Sequence, residues 1–165
     1  MSPRLLALLF CTLSAPLWAA SSDRNKPIEI EADRVDINER QGLSSYQGNV
    51  VMRQGSIRMR ADSIVVKTEN RALISVKAQG RPANFSQRPD NASADVQAQA
   101  QNVDYQAQKG LLVLTSGARF QQGVNQFSGN RIEYDMQQNI VSAQGSEQGP
   151  SSRVQVIIHP DTLEQ

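Results

Sequence analysis

Residues 46–66, YQGNVVMRQGSIRMRADSIVV, alternate apolar and polar side chains on either side of a Gln54-Gly55 turn. Val50 and Met52 fall on one side, with Val51 and Arg53 on the other. After the turn, Ile57 and Met59 share a side while Arg58 and Arg60 take the opposite one. After Ala61-Asp62, Ile64 and Val66 continue the apolar side. A period of two is that of a β-strand, whose successive side chains point to opposite faces. The stretch therefore predicts a β-meander with one apolar face, and that constrains everything around it.

The same unit recurs. Ala32-Asp33-Arg34-Val35-Asp36-Ile37, Ala61-Asp62-Ser63-Ile64-Val65-Val66, Ala100-Gln101-Asn102-Val103-Asp104-Tyr105 and Gly129-Asn130-Arg131-Ile132-Glu133-Tyr134 share one pattern. A small residue, a polar residue and any residue are followed by Val or Ile, any residue and an apolar residue. Their starts lie 29, 39 and 29 residues apart. Each is followed by a polar turn, a second apolar run and a glycine: Gly48, Gly80, Gly117 and Gly145. Self-similarity of this kind marks an array in which each unit covers its neighbour's apolar face. No long stretch shows helical spacing, and the interruptions are turn-rich, as at Gly80-Arg81-Pro82 and Lys109-Gly110. The expected fold is all-β: a slightly twisted, V-shaped β-jelly roll of many short antiparallel strands built from internal repeats. Val154, Val156 and Ile158 form a last alternating strand. Such a stack has open edges at both ends, and open edges invite pairing with another chain.

Residues 1–20 stand apart. Arg4 precedes an apolar run, Leu5 to Ala20, that ends in small residues, the pattern of a secretory signal peptide cleaved near Ala19 or Ala20. The one cysteine, Cys11, lies inside this leader, so residues 21–165, read as one domain, carry neither disulfides nor thiolate ligands. Removing Arg4 from 17 basic residues leaves 16 against 16 acidic. A neutral chain poor in aromatics argues against nucleic acid, which calls for a basic stripe.

Catalytic chemistry finds little support. His159 is the one histidine and follows the last strand. No Gly-x-Ser-x-Gly elbow is present, and the QGSEQGP segment lacks the lysine of a phosphate loop. Glu29/Glu31 and Asp33/Asp36 are paired carboxylates, but they read as a solvated face. The recurrent Asp33 and Asp62 become Gln101 and Asn130 in the later units, which argues against a metal site. No cofactor and no enzymatic activity are expected.

What remains is the apolar face. Ile28, Ile30, Val35, Val50, Met52, Ile57, Met59, Ile64, Val66, Ala83 and Phe85 line it in the first half. Val103, Tyr105, Leu112, Leu114, Phe120, Phe127, Ile132, Tyr134, Val154 and Val156 continue it. It is either a packed core or, where the sheet halves stay apart, also a greasy groove. Each methylene exposed to water costs about 0.8 kcal/mol, so an acyl chain of about a dozen carbons costs on the order of 10 kcal/mol. A lipid carrier needs continuous apolar shelter on that scale, and Met52 and Met59 suit an adaptable lining. Arg53, Arg58 and Arg60 lie on the opposite side, where they meet solvent, anionic head groups or a partner.

The segments IEIEADRV, YQGNVVMRQGSIRMRADSIVV, GRPANFSQ, VLTSGARFQQG and FSGNRIEY resemble the LptA/OstA-like family of periplasmic lipopolysaccharide-transport proteins. The resemblance runs over nearly all of residues 27–158. It implies a β-jelly roll without enzymatic activity that binds lipopolysaccharide and stacks end to end into a bridge between the two membranes. It places lipid contact on the N-terminal strand, where Ile28 and Ile30 fall, and in the inner groove, where Phe85 falls; with the apolar face read above, the expected lipid contacts are Ile28, Ile30, Val50, Met52, Ile57, Met59, Ile64, Val66, Phe85, Leu112, Leu114, Phe120, Phe127, Ile132 and Tyr134. It implies an LptC-type inner-membrane partner at the N-terminal edge. At the C-terminal edge it implies the next copy or an LptD-type outer-membrane partner. Two departures stand out: the lead-in before Pro27 is polar and basic, and the tail ends soon after His159. A closed structural repeat protein and a β-solenoid enzyme acting on carbohydrate are the competing readings.

Overall fold

A computed structural model describes residues 23–89, 94–146 and 153–159. The expected leader, residues 1–20, lies outside the described residues, as do Gln148 to Ser152 and the tail after His159. A 3-10 turn, Asp23–Asn25, leads into ten strands: β1 (Ile28–Glu31), β2 (Arg34–Asn38), β3 (Leu43–Gln54), β4 (Ile57–Glu69), β5 (Ala72–Gln87), β6 (Val96–Gln106), β7 (Leu111–Gln122), β8 (Asn125–Asp135), β9 (Ile140–Gln144) and β10 (Gln155–Ile157). They form one sheet in which β3 to β8 follow each other as an antiparallel meander. At one end β1 and β2 both pair with β3, end to end, and at the other β9 and β10 both pair with β8. Each edge is thus one broken strand.

The chain uses fewer and longer strands than the periodicity suggests. Ala61-Asp62 and Gly80-Arg81-Pro82 read as interruptions, yet both lie within unbroken strands, β4 and β5. They are bulges. The register slips between Gln47 and Val50, Arg60 and Ser63, Gln79 and Ala83, Gln99 and Asn102, and Thr115 and Ala118. These slips sit at the same level on successive strands and form a crease across the sheet. A bulge bends its strand and sharpens the local twist, so a row of bulges folds one sheet over on itself. In β4 the buried positions are Ile57 and Met59 before the bulge and Ile64 and Val66 after it, a change of parity produced by one extra residue. The recurring small-polar pairs and glycines are the crease itself.

Local chemistry supports the bend. Gly48, Asn49, Ser116 and Gly117 have φ of 78°, 47°, 68° and 69°, the left-handed region where glycine costs least. At the N-terminal edge the Asp33 N–H donates to the Gly48 carbonyl at 3.0 Å, and Asn49 Nδ2 donates to Asp33 Oδ2 at 2.9 Å. Asp33 therefore pins the crease. A Cβ on Gly48 would collide with the Asp33 carboxylate.

Folding at the crease brings two apolar faces together. Ile64, Val76, Val103, Leu112, Leu114 and Ile132 come from one half; Val50, Met52, Ile57, Met59, Ala83 and Phe120 come from the other, and all are 0–2% exposed. Aromatic rings join the halves: Phe85 meets Tyr105 at 6.2 Å between centroids, and Phe120 meets Tyr134 at 4.9 Å. Such tilted pairs add to the burial of the rings.

The edges differ. Val35 is 50% exposed and Val156 46%, so neither belongs to the interior that alternation assigns them to. Their strands are outermost and short, and among the described residues no further strand covers them. Ile37 and Ile158 are exposed as well.

Candidate functional site

The sheet closes at its crease and meets at its tips. Around the crease lies the apolar interior, and at the tips lies a polar mouth. All fifteen residues assigned to lipid contact fall in or against one cluster. Ile28, Ile30 and Phe127 are half-buried and pack on its margin, while the other twelve are buried within it. In this form the interior is filled by side chains, and the apolar ribbon is a packed core. Phe127 stacks edge-on against Phe120 at 6.0 Å and stands at the boundary between core and surface.

The mouth is built from residues that alternation does not mark. Gln54 continues the inward series Val50, Met52, and is 3% exposed, the one buried polar residue among those described. Its Nε2 donates to the carbonyls of Arg24 and Lys26 at 3.4 and 3.2 Å. Asp23 caps the β3–β4 turn: the Ser56 N–H and hydroxyl each donate to its carboxylate at 2.7 Å. Gln87 Nε2 donates to the same carboxylate at 3.1 Å. Ser56 and Gln87 belong to the tips of one half. Arg24, the next residue, reaches the tips of the other, beside Tyr105 and the Gly110 turn. The polar lead-in is thus a clasp laid across the mouth. On the far side Gln122 Nε2 of β7 donates to Asn139 Oδ1 of the β8–β9 turn at 2.9 Å, and the Tyr134 hydroxyl donates to the same oxygen at 3.1 Å.

The closure is held by polar bonds around an apolar centre, and its satisfaction is incomplete. Gln54 Oε1 and Gln87 Oε1 are buried and have no hydrogen-bond partner among the described residues. Leaving such an acceptor unpaired costs about 1–3 kcal/mol. The mouth is therefore a polar seam in a well-packed molecule. A single signal pointed to it: a glutamine at an inward position in an apolar run.

Burial pushes the Tyr105 hydroxyl above the ordinary tyrosine range, with the nearby Arg24 charge working against it. Tyr134 is raised too, first by burial and then by Asp135. For an acid with a raised folded-state pKa, the unfolded chain loses its proton first. Stability is then constant below the ordinary value of about 10 and falls as pH rises above it. Circular dichroism across an alkaline titration is expected to show loss of structure beginning there. The Tyr105→Phe/Tyr134→Phe protein is expected to show a flatter profile.

The carboxylates do surface work. Glu31 accepts from Arg53 at 2.6 Å, Asp36 from Arg34 at 3.1 Å, and Glu133 from Arg131 at 2.6 Å. Glu29 and Glu31 are exposed on edge strand β1 and do not converge on a cleft. His159 sits on the β7–β8 turn, with Nδ1 at 3.0 Å from the Val124 carbonyl. Among the described residues no three His, Cys, Asp or Glu side chains gather as metal ligands.

A single antiparallel sheet, creased over a continuous apolar interior and unpaired at both outer edges among the described residues, defines a β-jelly-roll protein. Over residues 29–140 the chain matches the family described as LptA/(LptD N-terminal domain) LPS transport protein, and it belongs to that family. It is 31% identical to the lipopolysaccharide export system protein LptH of Pseudomonas aeruginosa, across 96% of this chain and 93% of that one. It is 30% identical to the lipopolysaccharide export system protein LptA of Escherichia coli K12, across 96% and 85%. The crystal structure of LptH, described as the LptA-homologous periplasmic component of the lipopolysaccharide transport device of P. aeruginosa, superposes with a TM-score of 0.77 at 30% identity. That match covers 85% of this chain and all of the other. The jelly-roll expectation holds.

Proposed function

We propose that this chain is a periplasmic carrier that binds lipopolysaccharide and assembles end to end into a bridge from the inner to the outer membrane. The observation that carries the reading is one apolar interior running from β3 to β8 between two free sheet edges, in a chain of this family. Acyl chains take the place of inter-half contacts when the mouth parts, lying against Ile28, Ile30, Val50, Met52, Ile57, Met59, Ile64, Val66, Phe85, Leu112, Leu114, Phe120, Phe127, Ile132 and Tyr134. Shelter for about a dozen methylenes offsets on the order of 10 kcal/mol of exposure, enough to pull a lipid tail into water-filled space. The carrier catalyses no reaction.

The edges make the bridge. The β1/β2 edge, with exposed Val35 and Ile37, takes the LptC-type inner-membrane partner; the β9/β10 edge, with exposed Ile140 and Val156, takes the next copy or the LptD-type partner. An added strand satisfies the free backbone groups, and the exposed side chains supply contact. The leader, cut near Ala19 or Ala20, delivers the chain to the periplasm.

Photo-crosslinking tests the carrier. A photoreactive residue at Phe85 or Ile30, mixed with purified lipopolysaccharide, is expected to give a lipid adduct. The outward position Lys77 is expected to give none. Folded protein with no adduct at either inward position would leave a closed structural repeat as the better account.

A further inference from the structure

The outer face of the sheet half that carries β1 and β10 is cupped. A concavity of about 610 Å³ spans β4 to β8 and reaches β10. Its charged and polar side chains alternate with the core along their strands; Phe85, Ala98 and Phe120 of the core, Phe127 at its margin and Ile157 of β10 line it as well. Register arranges the charged and polar ones in two rows. One runs Arg60, Asn84, Gln99, Arg119, Ser128; the other runs Arg58, Ser86, Gln97, Gln121, Gln126. The polar part of the lining is three arginines with amides and hydroxyls, and it holds no carboxylate.

The arrangement is costly for a surface with no ligand. Arg58 stands directly opposite Arg53 across the β3–β4 pair, and like charges in that position repel. Arg53 is compensated by Glu31. Arg58, Arg60 and Arg119 have no ion-pair partner among the described residues, unlike Arg34 and Arg88 but like Arg40, Arg71 and Arg81. A second concavity on the other half's outer face carries Lys67, Lys77 and Lys109, but there Asp104 stands among them. What sets the cup apart is that its lining groups three arginines with no carboxylate among them.

We propose that the Arg58–Arg60–Arg119 cup binds the phosphorylated saccharide portion of lipopolysaccharide. Guanidinium forks match phosphate oxygens two at a time, and Asn and Gln amides donate to and accept from sugar hydroxyls. The location fits the cargo. The Arg58 row lies one residue inside the β3–β4 tip, at the lip of the mouth. A molecule whose tails enter between the tips would lay its polar head over this lip and onto the cup. The inference rests on the carrier reading for the identity of the ligand, but the two fail separately.

The test uses the mature protein and fully deacylated lipopolysaccharide, which keeps its phosphates and sugars but has no tails. Calorimetry is expected to show binding that weakens with salt. Arg58→Gln/Arg60→Gln/Arg119→Gln is expected to weaken it about tenfold or more, while Lys67→Gln/Lys77→Gln leaves it unchanged. Dephosphorylated saccharide is expected to bind as weakly as the triple variant allows. Equal affinity of wild type and the triple variant, in protein with the same circular dichroism, overturns the proposal. Displacement by inorganic phosphate at the same concentration as the saccharide would show a plain anion site and overturn it too. If intact lipopolysaccharide crosslinks at Phe85 while the deacylated saccharide does not bind, the carrier stands and the cup fails. If the saccharide binds through the arginines and nothing crosslinks inside, the cup stands and the acyl groove fails.

Discussion

Phe120→Ala is expected to destabilise the fold by ~3–5 kcal/mol, the usual cost of emptying an aromatic site in a packed core. Phe120 is 1% exposed and touches rings from both sides of the crease, Tyr134 at 4.9 Å and Phe127 at 6.0 Å. Its removal loses transfer energy and opens a void that neither half can fill without the other moving. For a chain of this size the melting temperature is expected to fall by on the order of 10 °C. Urea denaturation followed by circular dichroism measures it. Phe127→Ala is the comparison: it is half-buried and should cost distinctly less. A loss at Phe120 no larger than at Phe127 would mean that the halves are not packed through this ring.

Locking the mouth is expected to abolish loading. Gln122 and Asn139 meet at 2.9 Å across the tips, and the described chain has no cysteine of its own. A Gln122→Cys/Asn139→Cys protein therefore carries one defined thiol pair, which a short bismaleimide with a reducible disulfide in its spacer can bridge. In the crosslinked form the competent open state is removed from the ensemble, and apparent affinity falls with its population. Lipid uptake, read by crosslinking at Phe85, is expected to drop by about tenfold or more and to return on reduction. Equal uptake by both forms would send the acyl chains in by another route, along the free edges. Loading through the mouth would then be wrong, although sheltering by the interior would survive.

The interior is legible in the sequence. Every apolar position assigned from alternation between Val50 and Val66 is buried, as are Phe85, Leu112, Leu114, Phe120, Ile132 and Tyr134. Period-two patterning is a local consequence of the pleat, and it persists wherever both faces of a strand have fixed neighbours. It failed at Val35 and Val156. There the pattern is the same, but the strands lie at the ends of the sheet, and a local pattern carries no information about whether anything lies beyond them. It also cut β4 and β5 into pieces at Ala61-Asp62 and Gly80-Arg81-Pro82. A bulge breaks alternation just as a turn does, and only the pairing of neighbours tells them apart.

The site was legible in part. Arg58 and Arg60 could be placed opposite the core from their own strand, but Arg119 lies three strands away in the pairing, and only the register brings it into the same cup. Asp23, Gln54 and Gln87 come from three separate stretches and make the clasp together. The chain's own residues determined an all-β repeat with one apolar face and, through the spacing of the small-polar pairs, where each strand would bend. Tertiary structure decided that these bends align into a crease, that the two faces close on each other, and that the closure is sealed by amides at the tips. The physical reason is reach: alternation and turn chemistry act over a few residues, whereas alignment and closure depend on contacts between segments far apart in the chain.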